Sequence, residues 1–296
     1  MNILLLSGGL GNQMFQYVYA FRLKQNNNKT LLSSYLLNRD KQHTGLDLNY
    51  VFNIKYEDYY LINILVKIIR KLVIFRNKKV YCHFCSLILK FFSLMGIKLI
   101  EEDEIGKNMS KRSLNVIWGY MQNYKYSEEI QDNILDIFKF DKSRLSEKSL
   151  SLLSEIKKRN SVSIHIRRGD YLKEENKKLF SNICTLNYYK NALEVIKNKV
   201  DNPFYFIFSD DMTWVKENFQ IKNAFFIDWN KELDAWQDMY LMSCCKHNII
   251  ANSTFSWWGA WLNQNPQKVI ISPSHFVNGL DPDKILPNEW IKCFSI

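Results

Sequence analysis

Residues 2–12 read NILLLSGGLGN. A short apolar run, Asn2–Leu6, passes into Ser7-Gly8-Gly9-Leu10-Gly11-Asn12, and a helical pattern follows from Gln13 to about Lys24. Strand, glycine-rich turn and helix form the opening unit of a doubly wound α/β fold. A second opening stands at Val162–Ile166, where an apolar strand runs into Arg167-Arg168-Gly169-Asp170. From there the chain alternates. Helix is predicted at Leu186–Lys199, Asp211–Phe219, Leu233–Cys245 and Ser253–Asn263, and strand at Pro203–Phe208, Ala224–Ile227, Asn248–Ala251 and Val269–Ile271. Such alternation predicts parallel sheets covered by helices on both faces.

At 296 residues the chain has room for two domains, since single cores stop growing at roughly 250–300 residues. The two openings therefore predict two Rossmann-like domains facing a cleft, residues 1–155 and 156–296, with the polar stretch Asp141–Asn160 carrying a surface helix into the link. The N-terminus lacks the positive region and the long apolar run of a signal peptide. Its six cysteines are accordingly expected to be reduced, in the cytoplasm. Cys82 and Cys85 have metal-ligand spacing without a second well-spaced pair, and buried structural thiols are the preferred reading.

The net charge of +10 points to an anionic partner, and it is concentrated. Leu61–Ile100 carries eight basic residues and no acidic one. Asn63, Lys67, Arg70 and Lys71 fall on one face of a helix otherwise made of Leu, Ile and Val. Two readings stand: a solvated stripe on a helix packed against the N-terminal domain, or a patch seated peripherally on an anionic membrane surface. No helix-turn-helix, zinc-finger or RNA-binding signature accompanies the charge, so nucleic acid is not an expected partner.

SIHIRRGDY, residues 163–171, carries the chemistry. Alternation along a strand puts His165 and Arg167 on one face. Open α/β sheets bind ligands beyond the carboxyl ends of their strands. Arg forks there suit diphosphate oxygens, with Gly169 removing bulk and Asp170 holding Arg168 or a ligand hydroxyl. A structural salt-bridge cluster is the alternative. ANSTFSWWGAW, residues 251–261, runs from strand to helix through Asn252, Ser253 and Thr254. Such a helix N-terminus caps itself and offers N–H groups to phosphate. Trp257 and Trp258 read as core or domain-interface residues. Asp238 lies amid large apolar neighbours: it could accept from a guanine's N1–H and amino group, or be a solvated acid on a helix face.

HIRRGDY resembles the H-x-R-R-G-D-Y signature of the bacterial α-1,2-fucosyltransferases (glycosyltransferase family 11). FSDD (208–211), NSTFSWWGAW, GGLGNQMFQYVYA (8–20) and GYMQNYKY (119–126) are similar to the family's other elements, in order along nearly the whole chain. The resemblance implies a GT-B-like fold, GDP-fucose as co-substrate, inversion at the anomeric carbon and a galactose-terminated acceptor, lipid-linked or free. It implies that Arg167 contacts the β-phosphate, with His165 and Asp170 shaping that site. Arg168 joins the donor-binding set, Asp238 reads the guanine, and Ser253 and Thr254 bind phosphate oxygens. Gly11, Asn12 and Gln13 reach the donor from the opposite domain. No cofactor or divalent metal is expected, because a fixed Arg and helix N–H groups meet the charge of the leaving diphosphate. Asp281 and Asp283 read as a turn, and Asp210-Asp211 is the pair that would contradict this.

Overall fold

Apolar runs without alternation belong in sheets covered on both faces. Asn2–Leu5 is such a strand, β1, with all four residues buried. The computed structural model describes residues 1–37, 45, 47–57, 59–76 and 82–295. The chain divides into two compact units, Met1–Asp132 and Asn133–Ile296.

In the first unit β1 is followed by α1 (Leu10–Gln25), β2 (Thr30–Ser33), α2 (Asp47–Phe52), α3 (Tyr60–Arg76), α4 (Cys82–Leu94), β3 (Ile97–Glu101), β4 (Leu114–Trp118) and α5 (Tyr124–Glu128). The strands form a parallel sheet in the order β2-β1-β4-β3. Val66, Ile69 and Val73 of α3 recur at helical spacing and pack on Ile3, Leu5 and Val116 of the sheet. The helix expected around Asn63–Lys71 is α3; it pairs with α4, and β3 follows. Lys67 and Lys71 are exposed, and Asn63 and Arg70 are half-buried at the flank. Lys78 and Lys79 lie outside the described residues.

The division falls within α6 (Gln131–Ile137). The second unit continues with α7 (Glu147–Lys158), β5 (Asn160–Ile166), α8 (Glu174–Phe180), α9 (Leu186–Lys199), β6 (Pro203–Ser209) and α10 (Met212–Asn218). It ends with β7 (Ala224–Ile227), α11 (Trp236–Cys244), β8 (His247–Ile249), α12 (Thr254–Trp261), β9 (Ile270–Pro273) and β10 (Ile291–Cys293). All strands are parallel, in the order β10-β9-β8-β5-β6-β7. A division at 155/156 would cut α7, the helix expected within Asp141–Asn160, which belongs to the second unit. Its Leu152, Leu153 and Ile156 are buried, Ser146 N donates to Gln237 Oε1 at 3.0 Å, and Ser149 Oγ donates to Asn230 Oδ1 at 3.2 Å.

One core of this unit joins Val162, Ile164 and Ile166 of β5 to Tyr188, Tyr189, Ala192 and Ile196 of α9. Trp257 and Trp258 are fully buried in the unit, Trp257 stacked on Trp261 at 4.8 Å and donating its Nε1–H to Ile285 O at 2.8 Å. Beneath the strands lies a buried polar chain. Asn248 Nδ2 donates to Ser163 Oγ at 2.7 Å and Met242 O at 2.9 Å, while Asn263 Nδ2 donates to Asn248 Oδ1 at 2.7 Å. It satisfies amides that would otherwise be costly to bury.

Candidate active site

Strand order locates the site. From β5 the sheet grows through β6 and β7 on one side and through β8, β9 and β10 on the other. The crevice beyond the carboxyl ends of β5 and β8 is the topological switch point, where open α/β sheets bind ligands. Both motifs end there. Tyr171 Oη donates to Asn252 O at 2.8 Å, and the His165 ring lies 5.8 Å from that of Phe255. Two adjacent tyrosines of α9 fix the strand ends from below: Tyr188 Oη donates to Ile250 O at 2.5 Å and Tyr189 Oη to His165 O at 3.0 Å.

The turn after β5 is organised by a carboxylate from the neighbouring strand. Asp210 accepts from Arg168 N at 2.9 Å and Gly169 N at 3.1 Å, and pairs with Arg167 Nη1 at 3.2 Å. Gly169 makes this possible, since a Cβ there would lie 2.8 Å from Asp210 Oδ2. Arg167 is thereby oriented with its guanidinium beside the Tyr171 ring, 5.8 Å from the centroid. Arg168 turns elsewhere. Its guanidinium lies 3.6 Å from the centroid of Trp214 and pairs with Asp211, so it braces the β6–α10 connection. Among the described residues Asp211 is the ionic partner of Arg168. Asp170 opens a single 3-10 turn over Asp170–Leu172, and the part expected of its side chain lies outside the described residues.

His165 is buried, with Nδ1 lacking a hydrogen-bond partner among the described residues. Burial first, and the Arg167 cation second, hold its pKa down at about 3, so the imidazole is neutral and Arg167 keeps its charge. α12 begins beside it. Ser253 is buried and is the N-cap, its hydroxyl accepting from Phe255 N at 3.3 Å, so it caps rather than reaches outward. Thr254 is half-buried on the first turn. Asp238 stands apart on α11, accepting from Asn230 Nδ2 at 2.7 Å. Burial raises its pKa to about 8, against the lowering effect of that hydrogen bond. It is not the solvated acid of the blander reading.

Gly11, Asn12 and Gln13 belong to the first unit. Gly11 is buried in α1. Asn12 Oδ1 accepts from Gln122 Nε2 at 2.9 Å, and Asn12 packs over Gly8, where φ is +74° and a Cβ would meet Asn12 Nδ2 at 2.6 Å. Gln13 faces inward: it is fully buried, its Nε2 donating to Gly8 O and Gly45 O at 2.8 Å each and its Oε1 accepting from Leu48 N. It holds the loop. Glycine loop and GYMQN loop are tied together, since Gln16 Nε2 also donates to Gly119 O at 2.7 Å.

Asp210 and Asn230 are the residues that sequence reasoning left without these roles. The available signal for Asp210 was an acid directly after a neighbouring strand; Asn230 offered none.

The chain matches the profile of Glycosyl transferase family 11 over residues 1–292. It is 32% identical to the O-antigen biosynthesis glycosyltransferase WbnK of Escherichia coli, with 97% of this chain and 98% of that protein covered. It is likewise 32% identical to an alpha-1,2-colitosyltransferase of Escherichia coli, covering 97% of each. Among solved structures it resembles the fucosyltransferase NodZ from Bradyrhizobium, with a TM-score of 0.50, 12% identity, and 87% of this chain and 91% of that one covered. That likeness is one of fold: α/β with parallel sheets, GT-B-like.

Proposed function

This chain belongs to glycosyl transferase family 11, and from that premise we propose that it moves L-fucose from GDP-fucose to the 2-hydroxyl of a terminal galactoside, with inversion, in the synthesis of a surface polysaccharide such as O-antigen. The observation that carries the reading is the switch point of the second unit. There a guanidinium fixed by Asp210 stands at the β5 end, across the crevice from the N-terminus of α12.

When GDP leaves, negative charge grows on the β-phosphate and positive charge on the sugar ring. Arg167 and the N–H groups of α12 meet the former without reorganising, because Asp210 and the Ser253 cap already hold them. His165, neutral near Arg167, adds no competing positive charge. Asp238 takes the guanine edge, accepting from N1–H and the 2-amino group as an ionised carboxylate. The roles of Gly11 and Asn12 toward the donor are part of the same proposal, as is independence from a divalent metal.

A second reading of the donor rests on the similarity to a colitosyltransferase. Colitose is fucose without the 3-hydroxyl, so the two donors present the same diphosphate and nucleoside. Incubation with GDP-fucose and GDP-colitose, separately, over a panel of galactose-terminated glycans decides between them. Mass spectrometry distinguishes a deoxyhexose from a dideoxyhexose product, and NMR reads the linkage and anomeric configuration. Transfer of deoxyhexose to the 2-hydroxyl with inversion is expected. Preferential transfer from GDP-colitose moves the donor to the second reading, and failure of both donors refutes both.

A further inference from the structure

The basic excess of the chain has a structural address. Leu61–Ile100 holds eight of the 40 basic residues and none of the 30 acidic ones, so the remainder of the chain is nearly balanced. The stretch folds as α3 and α4, which pack on each other and on the sheet of the first unit. A helix whose charge merely keeps it soluble presents polar residues outward. These helices present large apolar residues outward among their lysines.

On α4, Phe84, Leu87, Phe91 and Leu94 follow at intervals of three and four residues and form one stripe. They are 66%, 62%, 60% and 88% exposed, with Lys90 exposed along the flank. The opposite side of the helix carries buried Cys85. On α3 the face away from Val66, Ile69 and Val73 interleaves Leu61, Ile64 and Ile68 with Lys67 and Lys71, all exposed. Exposed large apolar residues gathered in this way mark an interaction surface rather than ordinary scatter. Among the described residues no helix is long and apolar enough to cross a membrane.

We propose that α3 and α4 form a docking surface for the face of an anionic lipid bilayer, the apolar stripe entering the boundary between headgroups and acyl chains and the lysines pairing with lipid phosphates. Charge selects this occupant. A protein partner or a second copy of this chain would have to supply acidic groups against two helices that have none of their own. A second copy would instead bring the same basic face and meet like-charge repulsion. Apolar residues interleaved with Lys on an amphipathic helix that lies in the interface plane are the pattern that such a surface binds. α3, about 25 Å long at ~1.5 Å per residue, is anchored from behind by the sheet core, so the surface is presented ready-made.

Flotation of the full chain with lipid vesicles, without donor or acceptor, tests this independently of any catalytic role. Wild type is expected to float with vesicles containing phosphatidylglycerol, to do so less as salt rises, and to stay unbound with phosphatidylcholine alone. The triple variant Lys67→Gln, Lys71→Gln, Lys90→Gln should lose roughly a hundredfold in partitioning, at about fivefold for each charge removed near the surface. Phe91→Ser with Leu94→Ser should lose binding at unchanged charge. Unfolding midpoints equal to wild type would establish that the variants fold. Absence of wild-type binding to phosphatidylglycerol vesicles at low salt overturns the proposal, as does undiminished binding by well-folded variants of both kinds. A concentration-dependent dimer in sedimentation velocity that Phe91→Ser with Leu94→Ser abolishes would also overturn it, giving the face to a second copy.

Discussion

Arg167 and Arg168 are neighbours in sequence with different work. Arg167, oriented by Asp210, is the cation proposed to face the leaving diphosphate, and Arg167→Ala should lower turnover by about 10²–10³ with an unchanged unfolding midpoint. Arg168→Ala gives up stacking on Trp214 and the pair with Asp211, and should cost on the order of 1–2 kcal/mol of stability while turnover changes less than about tenfold. Denaturant titration beside steady-state kinetics at saturating donor separates the two. Asp238 sets a pH dependence whose sign is fixed. Its carboxyl titrates near 3.8 when unperturbed and near 8 in the folded chain. The folded chain thus keeps a proton that the unfolded chain has released, so the stability this group contributes below about pH 4 is lost as pH rises through 8. Asp238→Asn, which still accepts from Asn230, should flatten that slope and melt above wild type at alkaline pH in calorimetric scans. In its proposed role the ionised carboxylate binds guanine. Wild-type GDP binding should then release a proton and tighten with pH up to about 8, by at most about tenfold per unit, and Asp238→Asn should bind GDP more weakly without that dependence. The strand-end motif made His165 and Arg167 legible in the sequence, because alternation and the strand's end specify their side of the sheet. Asp210 was legible as an acid but not as the anchor. It lies 42 residues beyond Arg168, and the contact exists because β6 is hydrogen-bonded to β5.

At the scale of elements, the helices of the second unit read closely because they advertise their ends. Leu186–Lys199 is found as predicted, with Thr185 capping it through a hydrogen bond from Tyr188 N. The expected start of the last long helix at Ser253 becomes its cap, with the helix at Thr254–Trp261. The short strands β2, β3, β4 and β10 were missed. Each has only three to five residues, and in a sheet covered on both sides no alternation marks them. The α3–α4 pair was blurred for another reason. Its apolar residues exceed what one buried face uses, so the helical period is drowned by the exposed set. α11 and α12 meet at Gly259, where a Cβ would stand 3.0 Å from Met242 Cβ. Gly259→Ala should therefore force the two helices apart and lower stability by about 1–3 kcal/mol, read as a shifted denaturant midpoint. Because α12 carries the N–H groups proposed to face the diphosphate, donor affinity should weaken with it.

For the molecule as a whole, two parallel-sheet units were legible from two strand–glycine–helix openings, whereas their division was not. Polar composition placed the surface helix of Asp141–Asn160 in the link between units, but Ser146 and Ser149 spend their polar groups on Gln237 and Asn230 within the second unit. Polarity alone does not distinguish a linker from a helix that hydrogen-bonds its own domain. Metal independence is a prediction at the same scale. Asp210 and Asp211, the carboxylates best placed to hold a cation, are committed to Arg167, Arg168, Gly169 and the cap of α10. Turnover should survive exhaustive chelation with EDTA, and activity lost and then restored by Mg²⁺ or Mn²⁺ would release both acids from these roles. The chain of Asn263, Asn248 and Ser163 beneath the strands has a consequence for how such an enzyme can vary. It works as an alignment pin: sliding β8 by one residue against β5 would strand two buried amides and carry the start of α12 about 3.3 Å away from Arg167. Drift in the loops above can then retune donor and acceptor choice over generations, while the spacing between guanidinium and helix stays indexed from below.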